Sequence, residues 1–122
     1  MPKIDPNYLL VGIVVAVLAV GQITFKYAAK QLVPADDLVS FVSRNTAALG
    51  FVAAALVLYA LATVAWVQAL RYVPLSTAYM FNAAAFVLVP SAGFLLFGEA
   101  LPRFFLLGAA AIVGGIVLIS LP

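Results

Sequence analysis

Long apolar runs separated by short polar breaks dominate the chain, and four of them have the length of membrane-crossing helices. The first spans about Tyr8 to Lys30; it is apolar from Leu9 to Val20 and becomes mixed after Gly21, where Gln22, Thr24 and Lys26 enter. The second spans about Thr46 to Tyr72 and carries Tyr59, Thr63, Trp66 and Gln68. Pro74 separates it from a third, about Leu75 to Phe97, with Tyr79, Asn82, Pro90 and Ser91 inside. Pro90 lacks a backbone donor and is expected to kink that helix or loosen its last two turns. The fourth starts at Pro102 and runs to about Ser120. A hydrocarbon core ~30 Å thick takes roughly 20 helical residues to cross, so four crossings use most of the chain. The joints after the second and third helices are only a few residues long, which makes those neighbours antiparallel hairpins.

Between the first two runs, Gln31 to Asn45 is the one polar stretch of any length. Pro34 followed by Ala35, Asp36 and Asp37 marks the start of a short helix, because proline suits a first turn and acids suit its positive end. Leu38, Phe41 and Val42 share one side of it, which predicts a segment lying in the membrane interface. The expected organisation is a single transmembrane domain over residues 1–122.

Composition strengthens the membrane assignment. Of 122 residues, 67% are hydrophobic and 8% charged, and mean hydropathy is +1.25. A soluble domain of this size keeps too much surface wet to hide that apolar content. There is no cysteine and no histidine, which removes disulfides, thiolate chemistry, the commonest general base and the usual metal ligand. The formal charge of +2 is small and dispersed, which argues against a nucleic-acid partner. Met1 to Asn7 is short and polar and leads into the apolar run without a small-residue cleavage site, so the first helix is expected to be retained. With four crossings, Lys3 and Arg71 share one side, and Lys30, Arg44 and Arg103 the other. This near-tie fits a protein inserting in both orientations and equally a weakly biased one.

Several polar residues in the apolar runs are candidates for function. Gln22, Lys26 and Lys30 follow one another at four-residue intervals and so share a helical face. A lysine near a helix end ordinarily snorkels to the headgroups. The alternative for Lys26 is that it and Gln22 hold an anionic headgroup such as a phosphate. With no carboxylate in the first, second or fourth apolar core, Lys26 has no evident internal partner, and an external anion would satisfy it. Tyr79 and Asn82 lie one turn apart and are candidates to face the bundle interior; an interhelical hydrogen bond is the alternative for Asn82, and Tyr59 and Tyr79 fit a cavity lining, ordinary packing or interfacial belt. Trp66 and Tyr72 read as interfacial belt. Glu99 and Arg103 are four apart across the last turn. Glu99 is expected to cap the fourth helix, with a gating or proton-coupling role as the alternative. In the fourth helix, Ala110 with Gly114 and Ala111 with Gly115 form small-xxx-small pairs suited to helix–helix packing.

The order Gly21-Gln22 with Lys26, then Ala69-Leu70-Arg71-Tyr72-Val73-Pro74-Leu75-Ser76-Thr77-Ala78-Tyr79, then Phe97-Gly98-Glu99 and a glycine-rich last helix, resembles the four-helix branch of the drug/metabolite transporter superfamily. That branch includes the small multidrug resistance proteins. Their first-helix glutamate corresponds here to Leu18, and a tryptophan they often carry in the third helix corresponds to Asn82. Without that acid, proton-coupled export of cationic drugs loses its binding group. The Gly-Gln…Lys pattern is more similar to the subunits of the aminoarabinose-phosphoundecaprenol flippase and related polyprenyl-phosphate-sugar transporters.

The resemblance implies an all-α four-transmembrane-helix bundle in a bacterial inner membrane, working as an antiparallel dimer with itself or a related four-helix subunit. It implies movement of a polyprenyl-phosphate monosaccharide, with no cofactor and no bond made or broken. Gln22 and Lys26 would meet the phosphate, and Tyr59, Tyr79 and Asn82 would line the path. Two other functions remain open on sequence alone: a small-solute or multidrug exporter of the same fold, and a non-transporting membrane subunit of an enzyme complex.

Overall fold

The computed structural model describes residues 5–122; Lys3, counted above in the charge balance, and the rest of the Met1 to Ile4 stretch lie outside them. Six helices follow in order: α1 (Pro6–Gln31), α2 (Leu38–Arg44), α3 (Thr46–Leu70), α4 (Leu75–Asn82), α5 (Ala85–Phe97) and α6 (Phe105–Ser120). The described residues contain no strand. The protein is an all-α membrane bundle.

Local chemistry sets the helix starts at the membrane surface. Asp5 caps α1 by accepting from the Asn7 amide at 2.9 Å, with Pro6 in the first turn where its missing donor costs nothing. Asp37 caps α2 by accepting from the Ser40 amide at 2.8 Å. Hydrogen bonding from Ser40, through its side chain first and its backbone second, holds the Asp37 carboxyl below its ordinary value.

Three helical stretches are long and apolar enough to cross a bilayer: α1, α3, and the 23 residues of α4 and α5 together. The fourth, α6, has 16 residues, or ~24 Å of helix, and needs its flanks to complete a crossing. It begins at Phe105 instead of Pro102. The third span is interrupted at Ala83–Ala84, not in its last turns. There the amides of Ala83, Ala84, Phe86 and Val87 reach back only three residues, a local tightening of the helix. Pro90 sits inside an unbroken α5; the carbonyl it crowds, four residues back at Phe86, also lies in α5, so the interruption at Ala83–Ala84 falls N-terminal to it. Asn82, a weak helix former, ends α4.

The bundle is built around α1 against α3. On α1, Val11, Val14, Val15, Ala19, Gly21 and Ala28 are buried. On α3 the buried residues are Ala48, Ala55, Ala62 and Ala69, spaced seven apart. A seam of alanines at that repeat lets two backbones approach closely, which is how helices associate where lipid removes the hydrophobic drive. Val73 and Ala78 extend this core across the α3–α4 turn. By contrast, α6 buries no residue and rests mainly on α4 and α5.

Candidate functional site

The polar face of α1 meets two other elements. From α3, Tyr59 places its hydroxyl against the Gln22 amide nitrogen, which donates to it. Gly21 makes this possible: a Cβ there would stand 2.5 Å from the Tyr59 ring. Phe25 flanks the same ring with centroids 5.5 Å apart. Thr63 stays within α3, its hydroxyl donating to the Tyr59 carbonyl at 2.7 Å.

The second element is the turn after α5. Gly98 adopts a left-handed conformation, φ 65°, which a glycine accepts without strain and which ends the helix. The chain folds back so that the Glu99 amide donates to the Gly93 carbonyl at 3.3 Å. The Glu99 carboxylate then lies over Gly93 and reaches Lys26, whose Nζ is 2.8 Å from Oε1. Both side chains are about half exposed, 49% for Lys26 and 46% for Glu99. One turn on, Lys30 lies over the Phe97 ring, 5.3 Å from its centroid.

Two expectations are corrected by this arrangement. Lys26 does have an internal partner, supplied by the α5–α6 turn and not by an apolar core. Glu99 does not cap the last helix: α6 has Phe104 at its start and no side-chain cap. Arg103 pairs with neither, its guanidinium lying 5.3 Å from the Phe104 ring centroid.

Two clefts open from this region. One of about 200 Å³ is lined by Gln22, Lys26, Val89, Gly93, Phe97 and Glu99. A larger one, about 370 Å³, lies between α1, α3 and α4, with Leu18, Tyr59, Thr63, Trp66, Tyr79 and Asn82 in its walls. Tyr59 belongs to both surroundings, bonding to Gln22 on one side and walling the larger cleft on the other. In that cleft the Oδ1 atom of Asn82 is buried and accepts no hydrogen bond among the described residues, an acceptor left for a guest or a water. Trp66, expected as belt, joins Tyr59 and Tyr79 here. Among the described residues no group of three His, Cys, Asp or Glu side chains comes together as a metal site.

Known proteins agree with the Gly-Gln…Lys resemblance. A probable 4-amino-4-deoxy-L-arabinose-phosphoundecaprenol flippase subunit, ArnF, of Pseudomonas fluorescens is 32% identical over 108 residues, covering 87% of this chain and 81% of the relative. A probable subunit of the same name but designated ArnE, of Yersinia pseudotuberculosis, is 34% identical over 114 residues, covering 93% of this chain and 96% of the relative. The chain belongs to the aminoarabinose-phosphoundecaprenol flippase subunit family. No family model matches it, and no solved structure matches it.

The sequence alone does not reveal the Lys26–Glu99 pair, the Gly21 recess or the junction built on Asn45. Gly98 was the available signal for the first, since a glycine just past an apolar run marks a reversal of the chain. For Gly21 and Asn45 the signal lies only in three dimensions. Asn45 is 2% exposed; it accepts from the Val33 amide at 2.7 Å and donates to the Val33 and Phe41 carbonyls at 2.9 and 2.8 Å.

Proposed function

We propose that the chain is one subunit of a dimeric flippase that moves a polyprenyl-phosphate-linked monosaccharide across the bacterial inner membrane. The observation that carries this reading is a half-exposed Lys26 beside a cleft in an otherwise apolar bundle, on a chain whose relatives are named for a lipid-linked sugar. The barrier to such a lipid is the transfer of its charged headgroup through hydrocarbon. A polar cleft with an open apolar side lowers that barrier while the isoprenoid tail stays in the bilayer. Lys26 draws the phosphate, and Gln22, already oriented by Tyr59, donates to it. Tyr59, Tyr79 and the unpaired Asn82 acceptor line the route taken by the sugar. The subunit makes and breaks no bond, and antiparallel pairing with itself or a related subunit supplies the inverted repeat used in alternating access.

The test is to purify the protein in nanodiscs drawn from its native membrane and identify the copurifying lipids by mass spectrometry. A polyprenyl phosphate sugar is expected with the wild type, and Lys26→Ala should lower its recovery by roughly tenfold. Equal recovery from the two proteins, or a bound organic cation in its place, overturns the proposal.

A further inference from the structure

The Lys26–Glu99 pair means that the proposed phosphate site already holds a charge of the phosphate's own sign. A guest anion reaches the ammonium only by displacing a carboxylate that lies 2.8 Å from it. With both side chains half exposed, the pair is weak enough to exchange. What becomes of the carboxylate decides which guests are accepted. Besides Lys26 and Glu99 its cleft is lined by Gln22, Ile23, Val89, Gly93 and Phe97, so a displaced Glu99 carboxylate meets no second cation there. The neighbouring cations are engaged elsewhere, Lys30 over Phe97 and Arg103 over Phe104. A headgroup carrying only a phosphate therefore replaces one half of the ion pair and strands the other. A headgroup carrying both a phosphate and an ammonium replaces both halves.

Resting on the flippase reading, we infer that Glu99 is the specificity-determining residue of the site: Lys26 takes the phosphate, Glu99 takes the protonated amine of an amino-sugar headgroup, and zwitterionic lipids are selected over simply anionic ones. Two glycines hold the carboxylate in place for this. Gly98 turns the chain back, and Gly93 leaves room beneath the carboxylate, where a Cβ would be 2.8 Å from Oε2. Lys26 and Glu99 both stand on flexible stems, so they can part to span the length of a sugar.

The experiment compares two lipids on the full chain in nanodiscs, together with whatever subunit copurifies. One is a polyprenyl phosphate bearing an amino-pentose; the other is the same lipid with its amine N-acetylated and so uncharged. The wild type should prefer the free amine by roughly fivefold, the effect of one partly exposed charge pair. Glu99→Gln should bind the two alike, and Glu99→Asp should keep the preference. Gly93→Ala should weaken the preference by pushing the carboxylate aside. A wild type without preference, or a Glu99→Gln protein that retains it, overturns the inference. So does an equal loss of both lipids in Glu99→Gln with an unchanged melting profile, which would make the pair a structural latch. Lys26→Ala distinguishes the two claims: unchanged binding of both lipids removes the phosphate site itself, whatever Glu99 does.

Discussion

Asn45 shows how one side chain can fix a junction that no helix propensity would hold. It lies where α2 ends and α3 begins, and its amide group bonds both to the strap after α1, through Val33, and to α2, through Phe41. All of its side-chain hydrogen-bonding partners are main-chain groups, so the contact is insensitive to the side chains around it. Removal leaves the Val33 amide without its acceptor in a part-buried place, at a cost of roughly 1–3 kcal/mol. Asn45→Ala should therefore open the 31–45 strap to protease at concentrations that leave the wild type intact, and Asn45→Asp should recover only the contact with the Val33 amide. Unchanged proteolysis in the alanine variant would remove the hub role. Nothing in the sequence around Asn45 distinguishes it from an ordinary loop asparagine, because its value comes from a partner 12 residues away in a strap with no periodic pattern. The same limit hid the partner of Lys26. Its face and spacing are visible on α1, but Glu99 is 73 positions later and is delivered by a turn.

The helices themselves were far more legible. Apolar length picks out the three long spans, since each must satisfy its backbone internally across the hydrocarbon, and the shorter apolar α6. Which face α3 and the first half of α1 turn inward was not legible, because both are apolar almost all round and no polar side marks the outside. The heptad of alanines on α3 carries that information in residue size instead of polarity. Ala55 is fully buried against α1, whereas its neighbour Ala54 is exposed. Ala55→Leu should force α1 and α3 apart and destabilise the bundle by about 1–3 kcal/mol, while Ala54→Leu should stay within about 0.5 kcal/mol. Unfolding in denaturing detergent, followed by the fluorescence of the single tryptophan, Trp66, measures both. Equal effects from the two leucines would mean that the alanine repeat does not set the packing distance. The break at Ala83–Ala84 belongs to the same scale. Pro90 was visible as a perturbation, but the position of the lapse was not, because a proline acts on the carbonyl of the preceding turn and the surrounding bundle decides where the helix yields.

At the scale of the whole molecule, the four crossings are unevenly tied together. The close pair is α1 with α3, and α6 stands at the edge with no buried residue. Leu106 and Leu107 are 80% and 71% exposed, as lipid-facing leucines can be. Ala110, Ala111 and Gly114 are exposed, and a Cβ built on Gly114 or Gly115 meets nothing within 4 Å. A larger residue at those positions therefore fits the isolated subunit, and any harm it does must come from a second one. If the subunits of the proposed flippase pair through this face, Gly115→Leu and Ala111→Leu should weaken association by roughly tenfold while leaving the melting of each subunit unchanged. Leu106→Ala, on the same helix, serves as the control and should associate normally. Energy transfer between labelled subunits in liposomes at a fixed protein-to-lipid ratio reads the dimer fraction directly. Lipid movement should fall in step with it, because one subunit has too few walls to enclose a headgroup. A dimer fraction unchanged in both leucine variants would place the contact elsewhere and leave α6 facing lipid; transport that persisted after the dimer was lost would instead confine the whole path to one bundle.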